Sequence, residues 1–370
     1  MKSFRIAIVG PLPPPSGGMA NQTRQLGELL SGEGLEVKVV QVNAPYRPAW
    51  VGKLPLLRAF FRLAPYLFQL WRAAGWAQVF HVMANSGWSW HLFAAPAVWM
   101  ARLRGKRVII NYRGGSAEEF LQKSYFWIRP TLLAADLTVV PSGFLEAVFA
   151  KWKIATLIIP NIINLPRFAP TGERSKLNAD APHVVITRNL EPIYDIPTGL
   201  RAFALLLKSF PKARLTVAGS GPDRDVLEAL ANKLGIAGSV KFTGRLELAE
   251  IAALYKSADI ALNTSLIDNM PNSVLESLAS GVPVVSTNVG GVPYIVQDGK
   301  TALLVPPGDA QAMSEAVATL LHDESLAQSL IQNGLASVQR YSWANVRDAW
   351  LAAYSEQTSV DQRSSASVKG

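Results

Sequence analysis

A chain of 370 residues, 49% hydrophobic and 17% charged with ten tryptophans, has the length for two globular domains and is too apolar for a disordered protein. It has no cysteine, which excludes disulfides and thiolate metal sites, and His81, His91, His183 and His322 are too dispersed to make a zinc site. The net charge of +9 is unevenly shared: residues 1–170 hold 19 Lys and Arg against 7 Asp and Glu, which is +12 and leaves −3 for the remainder. A basic half beside a slightly acidic one points to an anionic partner: nucleic acid, a membrane surface or a phosphorylated substrate.

In chain order, the start, MKSFRIAIVGPLPPP, has a short apolar run and no small-residue cleavage site, so no signal peptide is expected. No apolar run reaches the ~18–20 residues of a membrane span. A cytoplasmic location is the expectation. FRIAIVG (4–10) reads as a buried strand, followed by a Pro/Gly loop and a helical pattern from Met19 with Leu26, Leu29 and Leu30 on one face. Gly32 and Gly34 stop that helix, and EVKVVQV (36–42) is the next strand. Strand, helix and strand in this order make a βαβ unit, hence a parallel sheet. The same grammar recurs in AQVFHVM (77–83), RVIINY (107–112), DLTVVPS (136–142) and ATLIIPN (155–161).

The stretch PNIINLPRFAPTGERS is the linker candidate, after which the pattern restarts. HVVITRN (183–189), ARLTVAGSG (213–221), SVKFTG (239–244), ADIALNTS (258–265), VPVVSTN (282–288) and TALLVPP (301–307) predict six further strands alternating with helices. The fold class is therefore α/β, with two Rossmann-like doubly wound domains at 1–165 and 170–340, a final helix over 342–357 and a polar, disordered tail over 358–370.

Residues 44–78 stand apart, because Arg47, Lys53, Arg58, Arg62 and Arg72 are interleaved with Trp, Phe and Leu and no acid is present. Leu57, Phe60, Phe61, Ala64, Leu67 and Phe68 follow helical spacing, with Pro65 expected to kink the helix. Two readings compete: a core helix with snorkelling arginines, or a basic amphipathic element lying on anionic lipid headgroups. Nucleic acid is disfavoured, since no recognition-helix, zinc or RNA-binding motif is present.

Ligands of open α/β sheets bind at the C-terminal ends of the strands. After the first strand, Gly17 and Gly18 open a helix whose amides could face an anion, although the spacing is neither a phosphate-loop nor a dinucleotide fingerprint. In the second half, Arg188 follows one strand, Gly219 and Gly221 follow the next, and Arg245 the one after. The glycines are expected to let the chain approach a ligand closely. In LIDNMPNSVLESLASG, Asn269 is the expected cap of a helix with Pro271 at its first position and Gly281 at its end. One acid near such a helix start complements the macrodipole. Two acids around an anion-ready helix start read as a sugar-nucleotide site: the amides of Asn272 and Ser273 face a diphosphate, Asp268 the sugar and Glu276 the ribose.

The stretches GGMANQTRQLGELLSGEGLEVKVV, VAGSGPDRDVLEALANKLGI and above all DNMPNSVLESLASGVPVVSTNVGGVPYIV resemble the retaining glycosyltransferases of family 4, the glycosyl transferases group 1. The resemblance implies a GT-B fold of two facing Rossmann-like domains, a donor domain at the C-terminus, an acceptor domain at the N-terminus, and a last helix that returns to the N-terminal domain. A cleft between two domains must open for exchange and close to exclude water, so hinges are expected near 160–175 and 335–345. The family's motif of two glutamates separated by seven residues is matched by Asp268 and Glu276, with Asp in the first place. Arg188 matches the family's diphosphate-clamping arginine, whereas Tyr194 stands about where its lysine is expected. Arg113 stands where many members carry a histidine, and is expected to share in stabilising the leaving phosphate. The expected substrate is a nucleotide sugar, UDP- or GDP-linked, transferred without a metal or other cofactor to a saccharide or lipid-linked acceptor of cell-surface polysaccharide synthesis, at the inner face of the plasma membrane. An oxidoreductase, a sugar-nucleotide epimerase and a non-catalytic sugar-nucleotide binding module are the alternatives.

Overall fold

The computed structural model describes residues 4–14, 17–46, 50, 54–170, 172 and 177–355. The expected tail at 358–370 lies outside them, as do Arg47, Lys53 and the side chains of Leu57 and Arg58. The chain divides into two compact units, Met1–Ile162 with Val346–Gly370, and Ile163–Asn345.

All twelve expected strands form, most of them shorter than expected, with β4 at the expected bounds and β3 reaching one residue further, to Ala84. The first unit holds β1 (Arg5–Gly10), β2 (Glu36–Gln41), β3 (Val79–Ala84), β4 (Arg107–Tyr112), β5 (Leu137–Val140) and β6 (Leu157–Ile158). They pair in parallel in the order β2-β1-β3-β4-β5-β6. The second unit holds β7 (His183–Ile186), β8 (Arg214–Ala218), β9 (Val240–Gly244), β10 (Ile260–Asn263), β11 (Val284–Thr287) and β12 (Leu303–Val305). These are also parallel, in the order β12-β11-β10-β7-β8-β9. β3, β5, β7 and β10 are buried at every residue, as continuous apolar runs covered by helices on both faces must be. Each sheet reverses its strand order once, between β1 and β3 and between β7 and β10. Those are the topological switch points where open α/β sheets hold ligands.

The first unit ends three residues before the expected 165 because Ile163 already belongs to the second. Its N–H donates to the Tyr341 carbonyl at 2.9 Å, and with Phe168 it packs into the apolar cluster around Tyr255. Gln22 fixes the exit on the other side. Its side chain donates to the Ile162 carbonyl at 2.8 Å and accepts from the Ile162 N–H at 3.0 Å. The last helix is Trp343–Tyr354, and from Val346 onward it belongs to the first unit. There Trp350 and Tyr354 pack against His81 on β3.

Residues Pro55–Trp76 form one helix that continues through Pro65. Its buried face is Tyr66, Leu70, Ala73 and Ala74. The row that helical spacing selected points the other way: Phe60, Phe61, Ala64, Leu67 and Phe68 are exposed. The core-helix reading of that row is therefore overturned. The small residues near the C-terminal end of the helix let it approach the sheet, leaving the bulky aromatics for the outside.

Candidate active site

At the switch point of the second sheet, β7 and β10 deliver adjacent loops. Thr187 and Arg188 leave β7; Thr264 to Asn269 leave β10. The β10 loop is pinned on several sides, by Thr264 Oγ1 donating to the Tyr194 carbonyl at 2.5 Å, Leu266 N–H to the Ile193 carbonyl at 2.8 Å, and Thr287 Oγ1 to the Ser265 carbonyl at 2.6 Å. Arg188 is thereby surrounded. Its Nη2 donates to Ser265 Oγ at 3.1 Å and to the Asp268 carboxylate, and its Nη1 donates to Ser273 Oγ at 3.3 Å. The guanidinium lies 4.1 Å from the centroid of the Tyr194 ring. Its Nε is buried without a partner among the described residues. Arg188 and Asp268 are both largely buried, at 11% and 13% side-chain exposure, so the pair is desolvated.

The helix Asn272–Ala279 starts beside this cluster. Its cap position is Pro271 rather than the expected Asn269, with no side-chain cap, because the chain bends at Asn269 and Met270 and helical backbone begins only after the extended Pro271. Asn272 and Ser273 are therefore its first two residues. One turn further on, burial pushes the Glu276 carboxyl up to about 8, against the opposing pull of Arg188, the Tyr255 hydroxyl bonded to it, and Arg167. The Tyr255 hydroxyl also contacts Thr187 Oγ1 and the Ser273 carbonyl. It ties Glu276 to the end of β7.

The structure thus brings Arg188, Asp268, Ser273, Asn272 and Glu276 together, but in relations the sequence did not disclose. Asp268 and Arg188 are partners in one ion pair, not two separate contacts. Gly219 and Gly221 bring the chain close to itself: a Cβ at Gly219 would sit 1.8 Å from the Arg188 carbonyl oxygen, and one at Gly221 2.1 Å from that of Leu190. Their job is to let the β8 loop pack on the Arg188–Leu190 backbone. Arg245 is exposed at the end of β9, the outer strand of the sheet. Two strand spacings of about 4.8 Å separate β9 from β7, so Arg245 is not gathered into the cluster. Gly17 is the extended cap of the helix Gly18–Gly32, and a Cβ there would meet nothing within 4 Å.

Sequence reasoning missed four contributors. Tyr194 was noted only as an absent lysine, and Thr187, Ser265 and Tyr255 carried no motif. It also left Gly290 and Gly291 unassigned, although the pair is visible in STNVGG. A Cβ at Gly290 would lie 2.2 Å from the Asp268 carbonyl oxygen and one at Gly291 1.7 Å from that of Asn269. Gly290 also adopts φ +52°, where side chains are strained. This loop is the floor on which the Asp268 backbone rests.

Arg113 sits at the end of β4 in the first unit, half-buried, with Nε donating to Asn111 Oδ1 at 3.1 Å and Nη1 to Asn161 Oδ1. Asn111 Nδ2 contacts His81 Nε2 at 2.9 Å, and His81 Nδ1 contacts the Tyr354 hydroxyl at 2.7 Å. Burial, then the Arg113 charge, lower the His81 pKa to about 3, so the imidazole is neutral. With Asn111 donating to Nε2, the proton is assigned to Nδ1. Loss of solvation brings Arg113 itself down to about 10. The guanidinium expected to face a phosphate is thus engaged in a side-chain network of its own unit.

Two doubly wound parallel units, the second with a desolvated arginine cluster and a helix start at its switch point, define a protein of the GT-B fold class. Residues 171–336, in the second unit, match the family described as Glycosyl transferases group 1. Among curated relatives, it is 30% identical over 224 residues to the sulfoquinovosyl transferase SQD2 of Arabidopsis thaliana, spanning 57% of this chain and 42% of that protein. It is 32% identical over 203 residues to the lipopolysaccharide core biosynthesis glycosyltransferase LpsE of Rhizobium meliloti, spanning 54% and 58%. The chain spans about half the length of the curated relatives it matches. Among solved structures, sucrose-phosphate synthase from Thermosynechococcus elongatus superposes with a TM-score of 0.71 at 22% identity, covering 95% of this chain and 98% of that one. Anabaena Alr3699/HepE in complex with UDP-glucose gives 0.72 at 18% identity, covering 95% and 99%. These likenesses establish the fold.

Proposed function

We propose that this protein is a retaining glycosyltransferase that moves a sugar from a UDP- or GDP-linked donor to a saccharide or lipid-linked acceptor in cell-surface polysaccharide synthesis. The observation that carries the reading is the Arg188 cluster at the β7/β10 switch point, inside the region that matches the family. Arg188 and the first amides of helix Asn272–Ala279 receive the diphosphate, because the helix start and a delocalised cation both stabilise negative charge. Glu276 accepts the ribose hydroxyls, and Asp268, in reach of Arg188, orients the transferred sugar. In the transfer, the bond from the anomeric carbon to the phosphate oxygen breaks and a bond to the acceptor oxygen forms on the same face. The acceptor proton leaves with the diphosphate, so no protein base is needed. Charge growing on the diphosphate meets cations and dipoles already in place, which is the main source of rate in such a site. These groups support a reaction independent of added metal.

The first unit is the acceptor domain in this reading. The acid-free segment 44–78 brings it to the anionic inner face of the plasma membrane. No described helix is long and apolar enough to cross a membrane.

Incubation with UDP- and GDP-sugars labelled in the sugar, with and without a lipid extract, tests the proposal. HepE was solved with UDP-glucose, so UDP-sugars are tried first. Transfer with retention of the anomeric configuration supports the reading. Tight nucleotide binding without hydrolysis or transfer under any condition would leave only a binding module.

A further inference from the structure

Fifteen of the nineteen exposed large hydrophobic side chains among the described residues are in the first unit, and fourteen of these fall between Trp50 and Leu133. They are not confined to segment 44–78. The connections β2 to β3, β3 to β4 and β4 to β5 all step the same way across the sheet, and right-handed crossovers place their three helices on one face. Those helices, Pro55–Trp76, Ala95–Leu103 and Ala117–Ala134, pack side by side in that order. Phe68 and Trp71 are exposed on the first, Trp99 and Leu103 on the second, and Phe126 and Trp127 on the third, the last two at 80% and 73% exposure. The rows are stitched together: the Arg104 guanidinium lies 4.0 Å from the Trp71 ring, and Trp99 Nε1 donates to Thr131 Oγ1 at 3.1 Å.

The charge around this surface is predominantly of one sign. Residues 37–117 contain eleven Lys and Arg and no Asp or Glu. The acids that do occur on or beside the third helix are already paired, Glu119 with Lys123, Glu118 with Lys151 and Asp136 with Arg102. Aromatic rings on a surface with an excess of cations suit one partner above others: the headgroup zone of a phospholipid bilayer, where rings enter the acyl boundary and Arg and Lys meet phosphates. So many exposed aromatic rings gathered on neighbouring helices are uncommon on a soluble monomer.

We infer that the outer face of the three-helix layer is a bilayer-insertion surface, with Phe126, Trp127 and Leu103 entering the lipid. This deepens the peripheral-membrane reading above but moves the contact from the charges of segment 44–78 to aromatics on the second and third helices. It therefore has a different signature. Electrostatic attachment vanishes in about 1 M salt, where the screening length falls to roughly 3 Å. Insertion of apolar rings does not.

The test uses the full-length protein and vesicles of phosphatidylcholine with or without phosphatidylglycerol. Wild type is expected to keep a salt-resistant bound fraction, and lipids brominated on the acyl chain are expected to quench its tryptophan emission. The double substitution Phe126→Ser with Trp127→Ser should lower the salt-resistant partition about tenfold or more, with melting temperature and nucleoside-diphosphate binding unchanged because both side chains are exposed. Full release of wild type in high salt, no quenching, or a double variant that partitions like wild type would each overturn the inference. So would a dimer, seen by sedimentation velocity, that the double variant disperses while wild type ignores vesicles. Failure to bind any nucleotide would count against the transferase reading and leave the partition result standing.

Discussion

The Arg188 guanidinium is held between two unlike neighbours: the ring of Tyr194, 4.1 Å from it, and the Asp268 carboxylate. A ring face attracts a cation without neutralising it, and that distinction sets the first expectation. Where relatives are expected to carry a lysine, this chain uses an aromatic platform to hold the remaining cation in place. Tyr194→Phe should therefore bind nucleoside diphosphates as wild type does. Tyr194→Ala should bind about tenfold more weakly, the loss of a partly desolvated cation–π contact of roughly 1–2 kcal/mol. Titration calorimetry compares them. Equal loss in both variants would assign the effect to the hydroxyl instead of the ring.

Asp268 is a harder group to remove. Breaking a desolvated pair strands the other charge, at a cost of about 3 kcal/mol or more in stability. Asp268→Asn keeps the shape and one acceptor oxygen but releases Arg188 from its counter-charge. The variant should melt lower, bind nucleoside diphosphates at least as tightly as wild type, and transfer sugar far more slowly. Adding UDP should restore part of the lost melting temperature, since a ligand that binds only the folded state stabilises it by mass action. A variant that loses nucleotide binding along with turnover would show Asp268 acting on the phosphates, contrary to the proposal.

How much of this was legible beforehand follows from the physics of each signal. The strands were readable because buried parallel strands are unbroken apolar runs between glycine and proline, and no tertiary detail alters that. The Asp268 and Glu276 pair was readable because a strand, a loop and a helix start fix where each must lie. The Arg188–Asp268 pairing was not, since the residues are eighty positions apart and only the strand order sets β7 beside β10. The packing of Gly219 and Gly221 on the Arg188–Leu190 backbone was hidden for the same reason: a glycine permits close approach, but the sequence does not say of what. The outward row of helix Pro55–Trp76 failed differently. Periodicity identifies an apolar face without naming its solvent, and here Ala73 and Ala74, not the phenylalanines, sit against the sheet.

The glycines separate packing from ligand approach. Gly291→Ala would drive a Cβ to 1.7 Å from the Asn269 carbonyl oxygen, which is backbone and cannot rotate away. The β10 loop must shift, so this variant should lose stability by more than the roughly 1–3 kcal/mol of ordinary overpacking and should also lose the Arg188 cluster's affinity for nucleotide. Gly17→Ala meets nothing within 4 Å at an extended φ of −169°, so its melting temperature should stay at the wild-type value. If Gly17→Ala abolishes nucleotide binding while the fold persists, that helix start contacts the donor after all.

Glu276 supplies the sharpest pH dependence. Its carboxyl is pushed up to about 8 from an ordinary 4.5, chiefly by burial, so the folded protein holds a proton there that the unfolded chain has lost. Between pH 4.5 and 8 the unfolded state binds fewer protons, and stability must fall as pH rises across that window. Glu276→Gln removes the titration and should flatten this part of the stability profile. Ligand binding carries the opposite trend. Two ribose hydroxyls that both donate need two acceptor oxygens, which only the ionised carboxylate presents. Nucleotide binding at pH 7 should therefore expel a proton, and affinity should rise from pH 7 until it levels above 8, a range in which the diphosphate is already ionised. Calorimetry in two buffers of different ionisation enthalpy counts that proton directly: close to one per nucleotide for wild type and none for Glu276→Gln. Wild-type binding without proton release, at an affinity that does not change between pH 7 and 9, would remove Glu276 from the ribose.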